Sequence, residues 1–273
     1  LFISLGRKLR ASDEWEYIPE GWAYADAHPE IKGWNVPDVL ETYKRKWPQF
    51  MARVQGKGPL GTAHESALTT DEDIRSHNTT MAFAYVLALS AHRRDLLSML
   101  DWGGGIGHYY LLAQTLLPDM EIEYHCKDVP LLADYGGQLF PDQHFYSDES
   151  CLGRTYDLVM ASTSLHYTED WRTLLQHLAG ATRGYLYIAN LPSVRKAASF
   201  VFVQRPYHYG YNTEYLAWCL NRAEFLQAAD CAGLGLIREF VYGYRPLIRG
   251  APEQNAYRGY LFQTCPKGKT CGG

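Results

Sequence analysis

The chain has 273 residues, 47% of them hydrophobic and 21% charged, with a net charge of −4. That length suits one large α/β domain with an appendage, and the slight acidity excludes a global basic field for nucleic acid. The longest apolar helix the pattern suggests, Met81–Ala91, is well short of the ~20 residues a bilayer requires, which excludes an integral membrane span.

Residues 1–70 carry Trp15, Trp22, Trp34 and Trp47 among Pro19, Pro29, Pro37 and Pro48, and read as an N-terminal helical and loop appendage or lid. Leu1–Arg10 mixes apolar residues with Arg7, Lys8 and Arg10; a packed segment is the first reading, a peripheral membrane contact the second. Val36–Val54 has helical patches, with a break expected near Pro48, and Gly56–Gly61 reads as a loop. Asp71–His92 is expected to be helical, with Thr70 or Asp71 as cap and Glu72 or Asp73 in the first turn.

From Leu96 strand and helix patterns alternate, which implies a parallel sheet with crossover helices. The strands expected are Leu96–Asp101, Glu121–Cys126, Gln143–Tyr146, Tyr156–Ser162 and Gly184–Asn190. The helices between and after them are Ile106–Leu117, Val129–Gln138, Trp171–Ala181 and Arg222–Ala232. Two long strands, Leu234–Tyr244 and Tyr257–Thr264, end the chain and suggest an antiparallel hairpin. Residues 71–273 form the expected domain, with a substrate-binding insertion about 191–221. Cys126, Cys151, Cys219, Cys231, Cys265 and Cys271 form no C-x-x-C, and no His/Cys cluster has zinc spacing. No metal is therefore expected, and reduced thiols in a cytoplasmic protein are the simplest reading.

The densest signal is Asp101-Trp102-Gly103-Gly104-Gly105-Ile106-Gly107, set between an apolar strand and an apolar helix. Glycines at such a junction let the backbone turn tightly and approach a ligand, and the helix start offers unpaired N–H groups. The spacing departs from the G-x-G-x-x-G of dinucleotide turns. An acid ending the strand sits badly beside a pyrophosphate and suits an ammonium. Asp128, about 20 residues on, lies where nucleotide folds place a ribose-binding carboxylate. Glu123 is mid-strand and has no route to that crevice. After the third strand, Asp148 competes between an adenine contact and a solvated loop acid.

This D-x-G-x-G-x-G arrangement resembles motif I of class I S-adenosylmethionine-dependent methyltransferases. Asp128-Val129-Pro130 is similar to the Asp-Leu-Pro of small-molecule O-methyltransferases. Three further features resemble one uncharacterised methyltransferase family associated with bacterial surface-polysaccharide gene clusters. They are Leu100–Tyr110, the Ser164-Leu165-x-Tyr167-x-Glu169-Asp170-Trp171 run and the Val203-Gln204 segment. The resemblance implies a Rossmann-like α/β fold: a mainly parallel seven-stranded sheet, helices on both faces and an antiparallel C-terminal hairpin. It implies S-adenosylmethionine as cofactor, S-adenosylhomocysteine as product, and a glycan or other small-molecule hydroxyl as acceptor.

Asp101, Gly103, Gly104, Gly105, Gly107 and His108 would then line the methionine side, with Asp128, Asp148 and Ser162 completing the cofactor site. Methyl transfer to a hydroxyl requires in-line placement and a base. His166 and His208 are the candidate bases, although the family pattern implies Gln where His166 stands. Tyr167, Gln204, Tyr207 and Tyr211 are the candidate acceptor contacts. Two rival readings stay open: a nicotinamide-dependent oxidoreductase or epimerase, and an inactive cofactor-binding scaffold. The oligomeric state is open as well.

Overall fold

The computed structural model describes residues 14–60 and 73–264. The expectations for Leu1–Arg10, Thr70, Asp71, Glu72, Cys265 and Cys271 lie outside those residues. Among the described residues, eleven strands fall into two joined sheets. The central one holds β2 (Leu96–Trp102), β3 (Glu121–Lys127), β4 (His144–Tyr146), β5 (Tyr156–Ser162), β6 (Thr182–Val194), β9 (Leu234–Val241) and β11 (Ala256–Thr264). Their order is β4-β3-β2-β5-β6-β11-β9. All neighbours are parallel except β11, which runs antiparallel to both β6 and β9. The expected seven-stranded sheet and its antiparallel closing pair are therefore present.

Burial on both faces explains the unbroken apolar runs in the central strands. Along β5, Leu158 and Met160 face one core while Val159 and Ala161 face the other. The first core is covered by α1 (Pro37–Val54), α2 (Ile74–Ala91), α3 (His108–Leu116) and α4 (Pro130–Leu139). The second is covered by α5 (Trp171–Gly180) and α6 (Arg222–Cys231). Helix starts follow local chemistry. The Asp170 carboxylate accepts from Thr173 N at 3.1 Å, the Asn221 amide oxygen from Ala223 N at 2.8 Å, and Pro37 and Pro130 occupy first turns.

Three sequence expectations need correction. α1 is continuous through Pro48, because the tryptophan and phenylalanine beside it, Trp47 and Phe50, are buried in the first core and tertiary packing outweighs the lost hydrogen bond. The cap of α2 is Asp73, whose carboxylate accepts from Arg75 N at 3.1 Å, so this acid is not a first-turn residue. The third concerns the ends of the chain's N-terminal region and its insertion, which share a second sheet of order β10-β1-β7-β8. Its strands are β1 (Trp15–Tyr17), β7 (Phe200–Gln204), β8 (Tyr215–Asn221) and β10 (Ile248–Arg249). It meets the central sheet where Ser193 and Val194 of β6 pair with Leu220 and Asn221 of β8. The N-terminal region is thus strand as well as helix and loop, woven into the same sheet as the insertion. No helix among the described residues is long and apolar enough to cross a membrane.

Candidate active site

Parallel sheets open their ligand crevice at the carboxyl ends of the strands. There the chain passes from β2 to α3 through residues 103–107. Gly103 and Gly105 hold φ of 75° and 63°, the left-handed region that penalises a side chain. A Cβ on Gly103 would lie 2.3 Å from Ser164 Cβ, and one on Gly104 would lie 2.4 Å from Asp101 Oδ2. The loop is therefore laid tightly over Asp101 and against the exit of β5. It borders a cavity of about 250 Å³ walled by Gly103, Gly104, Gly105, His108, Tyr109, Asp128, Ser162, Thr163 and Ser164. Trp34, Tyr43 and Tyr167 also line it. Thr163, a β-branched residue, stands at φ 54° on this wall, a strained conformation of the kind that collects at functional sites.

Two carboxylates organise the glycine-loop side of the cavity. Asp101 is fully buried directly behind Gly104. Its Oδ2 accepts from the Tyr124 hydroxyl at 2.7 Å, and its Oδ1 has no hydrogen-bond partner among the described residues. Burial pushes its carboxyl up to about 7, the Tyr124 hydrogen bond opposes the rise, and the neighbouring Asp128 adds to it. Asp128 stands on the wall itself. Its Oδ2 accepts from Gly105 N and its Oδ1 from Val129 N, each at 2.7 Å. Burial raises its pKa and the two N–H donors oppose that. A carboxylate offers about four acceptor positions, so Asp128 holds the glycine loop and keeps capacity for a ligand hydroxyl.

The opposite wall is aromatic. Trp34 stacks on Tyr215 with ring centres 4.5 Å apart and meets Tyr167 edge-on at 5.3 Å. The Tyr167 hydroxyl donates to Gln204 Oε1 at 3.1 Å, and Gln204 Nε2 donates to Glu14 Oε1 at 2.9 Å. Gln204 and Glu14 are both buried. An ionised carboxylate only accepts, so Glu14 fixes which end of the amide faces Tyr167. Tyr167 thus donates its single hydroxyl proton to Gln204.

The structure gathers Gly103, Gly104, Gly105, His108, Asp128, Ser162 and Tyr167 at one cavity, with Asp101 one layer behind and Gly107 capping α3. The remaining candidates stand apart. Asp148 is exposed and accepts from Ser150 N at 2.9 Å, so it closes a turn off the cavity wall. His166 is buried, and neither ring nitrogen has a partner among the described residues. Burial drives its pKa down to about 3, and its ring packs on Tyr167 and Tyr257 off the wall. That placement contradicts a base acting inside this cavity. His208 lies 3.5 Å from Glu14 on the outer side of Gln204, with its pKa lowered first by burial and then by Lys46. Gln204 and Tyr211 sit behind the wall, Tyr211 against Trp34 and Tyr43, and Tyr207 donates to Glu214.

Sequence reasoning missed Trp34 and Tyr43, which reach the cavity from more than fifty residues upstream of the glycine loop. It also missed Tyr109, whose hydroxyl pairs with Ser162 Oγ at 2.8 Å, and Glu14. Tyr109 was legible in principle, being one residue past His108 on the first turn of α3. The others carry no local signal.

No protein-family model matches the chain, and no curated protein matches it. Solved structures do. A candidate sarcosine dimethylglycine methyltransferase from Galdieria sulphuraria superposes with a TM-score of 0.51 at 15% identity, over 82% of this chain and 98% of that one. The mitomycin 7-O-methyltransferase MmcR gives 0.45 at 15% identity over 88% and 76% of the two chains. The sugar N-methyltransferase KedS8 from Streptoalloteichus sp ATCC 53650 gives 0.44 at 15% over 69% and 87%. At such identities the likeness speaks for the fold. Sheet order and the first of these superpositions together define it: a class I, Rossmann-like methyltransferase fold with a mostly parallel sheet and antiparallel strands near the C-terminus.

Proposed function

We propose that this chain transfers a methyl group from S-adenosylmethionine to a hydroxyl of a small acceptor, most simply a saccharide. The observation that carries the reading is the pairing of a glycine loop at the carboxyl edge of β2 with two differently placed carboxylates. Asp101 is buried behind the loop with an orphaned oxygen, and Asp128 stands on the wall. The buried Asp101 carboxylate, one layer behind Gly104, would attract a ligand ammonium across the loop by charge rather than by a direct hydrogen bond. Asp128, already tied to the loop, accepts from ribose hydroxyls. When bound, S-adenosylmethionine supplies an electrophilic methyl on a positively charged sulfur. The electron-rich faces of Trp34, Tyr43 and Tyr167 favour such a charge and exclude water.

On the acceptor side, Tyr167 receives a hydrogen bond from the acceptor's O–H, because Gln204 takes its own proton. That hydrogen bond would orient the acceptor oxygen toward the methyl group of a cofactor held by the glycine loop and Asp128, and the acceptor's proton would pass to solvent. Positioning of this kind supplies much of a transfer rate without a dedicated base. Residues 14–60 act as the lid that brings Trp34 and Tyr43 over the site, and residues 191–221 carry the acceptor-orienting Gln204.

The test is calorimetric titration of the purified chain with S-adenosylhomocysteine, with NADH in parallel. Stoichiometric binding of S-adenosylhomocysteine alone is expected, followed by a screen of nucleotide sugars and glycans with methyl-labelled cofactor. Binding of NADH alone overturns the reading and moves the site to redox chemistry.

A further inference from the structure

A second constellation lies away from the cavity, on the edge of the central sheet. β3 and β4 are parallel neighbours, and His125 pairs in register with His144. Side chains alternate along a strand, so Glu123 shares the face of His125, and the register adds His144 to the same face. The three bring one potential ligand atom each to within 4.8 Å of one another. This juxtaposition is invisible in the sequence, where His144 stands nineteen residues from His125 with no zinc-type spacing.

We propose that Glu123, His125 and His144 form a binding site for a divalent transition metal of the zinc type. Two imidazoles and one carboxylate are the donor set that borderline ions prefer over calcium or magnesium. His125 Nε2 already lies 3.2 Å from Glu123 Oε1. A tetrahedral ion with ligands at about 2.0–2.1 Å needs neighbouring donors at about this separation. The His125 and His144 rings lie face to face, centres 4.4 Å apart and tilted by 20°, so the His144 ring must turn for its lone pair to converge with that of His125 on one ion. Burial divides the labour. His125 is fully buried, and its Nδ1 is engaged by the Tyr146 hydroxyl at 2.9 Å, the kind of outer contact that orients a metal-bound imidazole. His144 is exposed, so its ring is free to rotate toward the ion and leaves a path for entry.

One group competes. Arg154 donates to the same Glu123 Oε1 at 2.9 Å and is largely solvent-accessible, so a metal displaces a guanidinium that can swing into water. Occupancy would tie edge strand β4 to β3. That tie bears on the cofactor site, because the Tyr146 carbonyl accepts from Asp128 N at 3.0 Å.

The experiment is titration of the chelator-treated full chain with zinc chloride, read by competition with a chromophoric chelator and by melting temperature. One site with a dissociation constant of about 1 μM or tighter is expected, with a rise in melting temperature on zinc addition. His144→Ala and Glu123→Gln, both at accessible positions, should weaken binding by about tenfold or more. Arg154→Ala should tighten it, since a competing cation is gone. That last outcome separates a real site from a hydrogen-bonded cluster, and no folding defect mimics it. Absence of binding below about 1 mM, or affinity that His144→Ala leaves unchanged, overturns the proposal.

Discussion

The two walls of the cavity are built by different means. The glycine-loop wall is local: residues 101–109 set its shape through positive φ angles and Cβ clearances of a few ångströms. The aromatic wall is assembled from distant parts. Trp34 and Tyr43 come from the N-terminal region, Tyr167 from the turn after β5, Gln204 from β7, and Glu14 from just before β1. A local wall is backbone chemistry and tolerates almost no side chain. An assembled wall depends on hydrogen-bond direction and ring packing, which tolerate more. Damage to the first should abolish cofactor binding, whereas damage to the second should change acceptor recognition while sparing the cofactor.

The largest effect is expected from Gly105→Val. At φ 63° a branched residue is strained, and a Cβ there already lies 3.1 Å from Tyr43 Cε2. S-adenosylhomocysteine affinity should fall by about 100-fold or more, equivalent to about 2.7 kcal/mol, in a chain whose circular dichroism is unchanged. A folded variant that keeps wild-type affinity would break the assignment of this loop.

Asp101 gives the next effect, and its sign can be worked out. Its carboxyl titrates near 7 in the folded chain against an ordinary value of about 3.9. If the ionised form attracts the ammonium, affinity for S-adenosylhomocysteine falls as pH drops from about 8 to about 6. Binding near neutrality should then release protons, which buffer-dependent calorimetric heats would reveal. Stability runs the other way: a raised folded value means the folded state keeps a proton the unfolded state has lost. The ligand-free protein therefore loses stability as pH rises between the two values. Asp101→Asn should melt above wild type at about pH 8 while binding the cofactor product poorly. A pH-independent affinity would remove Asp101 from ammonium recognition.

The same contrast explains what was legible in the sequence. The central strands, the glycine turn and the mainly parallel sheet with its antiparallel closing pair followed from period, turn chemistry and strand–helix alternation. Trp34 and Glu14 were not, because nothing near them in the chain says that β1 joins β7 and carries its neighbours to the cavity. His166 misled for a related reason. It follows β5 as a catalytic residue might, but the short 3-10 turn Leu165–Tyr167 buries its ring and exposes Tyr167 to the site instead.

A smaller, more selective effect is expected on the aromatic wall. Tyr167→Phe and Gln204→Leu should raise the acceptor KM by about fivefold, the scale of one hydrogen bond near 1 kcal/mol. S-adenosylhomocysteine affinity should stay within about twofold. Equal losses of cofactor and acceptor binding would mean that the two walls are not separable.

The smallest effect on turnover is expected where the sequence suggested one of the largest. The buried ring nitrogens of His166 lack partners among the described residues, and a buried polar atom without one costs stability. Burial lowers its folded pKa to about 3, below the ordinary value of about 6.5. The folded state therefore excludes a proton that the unfolded state takes up. Stability from this group is complete above pH ~6.5 and is lost as pH falls toward 3. His166→Leu removes both the orphaned nitrogens and the titration. It should melt at or above wild type near neutrality, with the larger gain at about pH 5, and turn over at nearly the wild-type rate. A general base contributes about 10²–10⁴-fold, so a turnover loss on that scale with cofactor affinity intact would show that the His166 ring swings into the cavity during the reaction. Unchanged turnover removes His166 as the base and agrees with the proposed orientation of the acceptor by Tyr167.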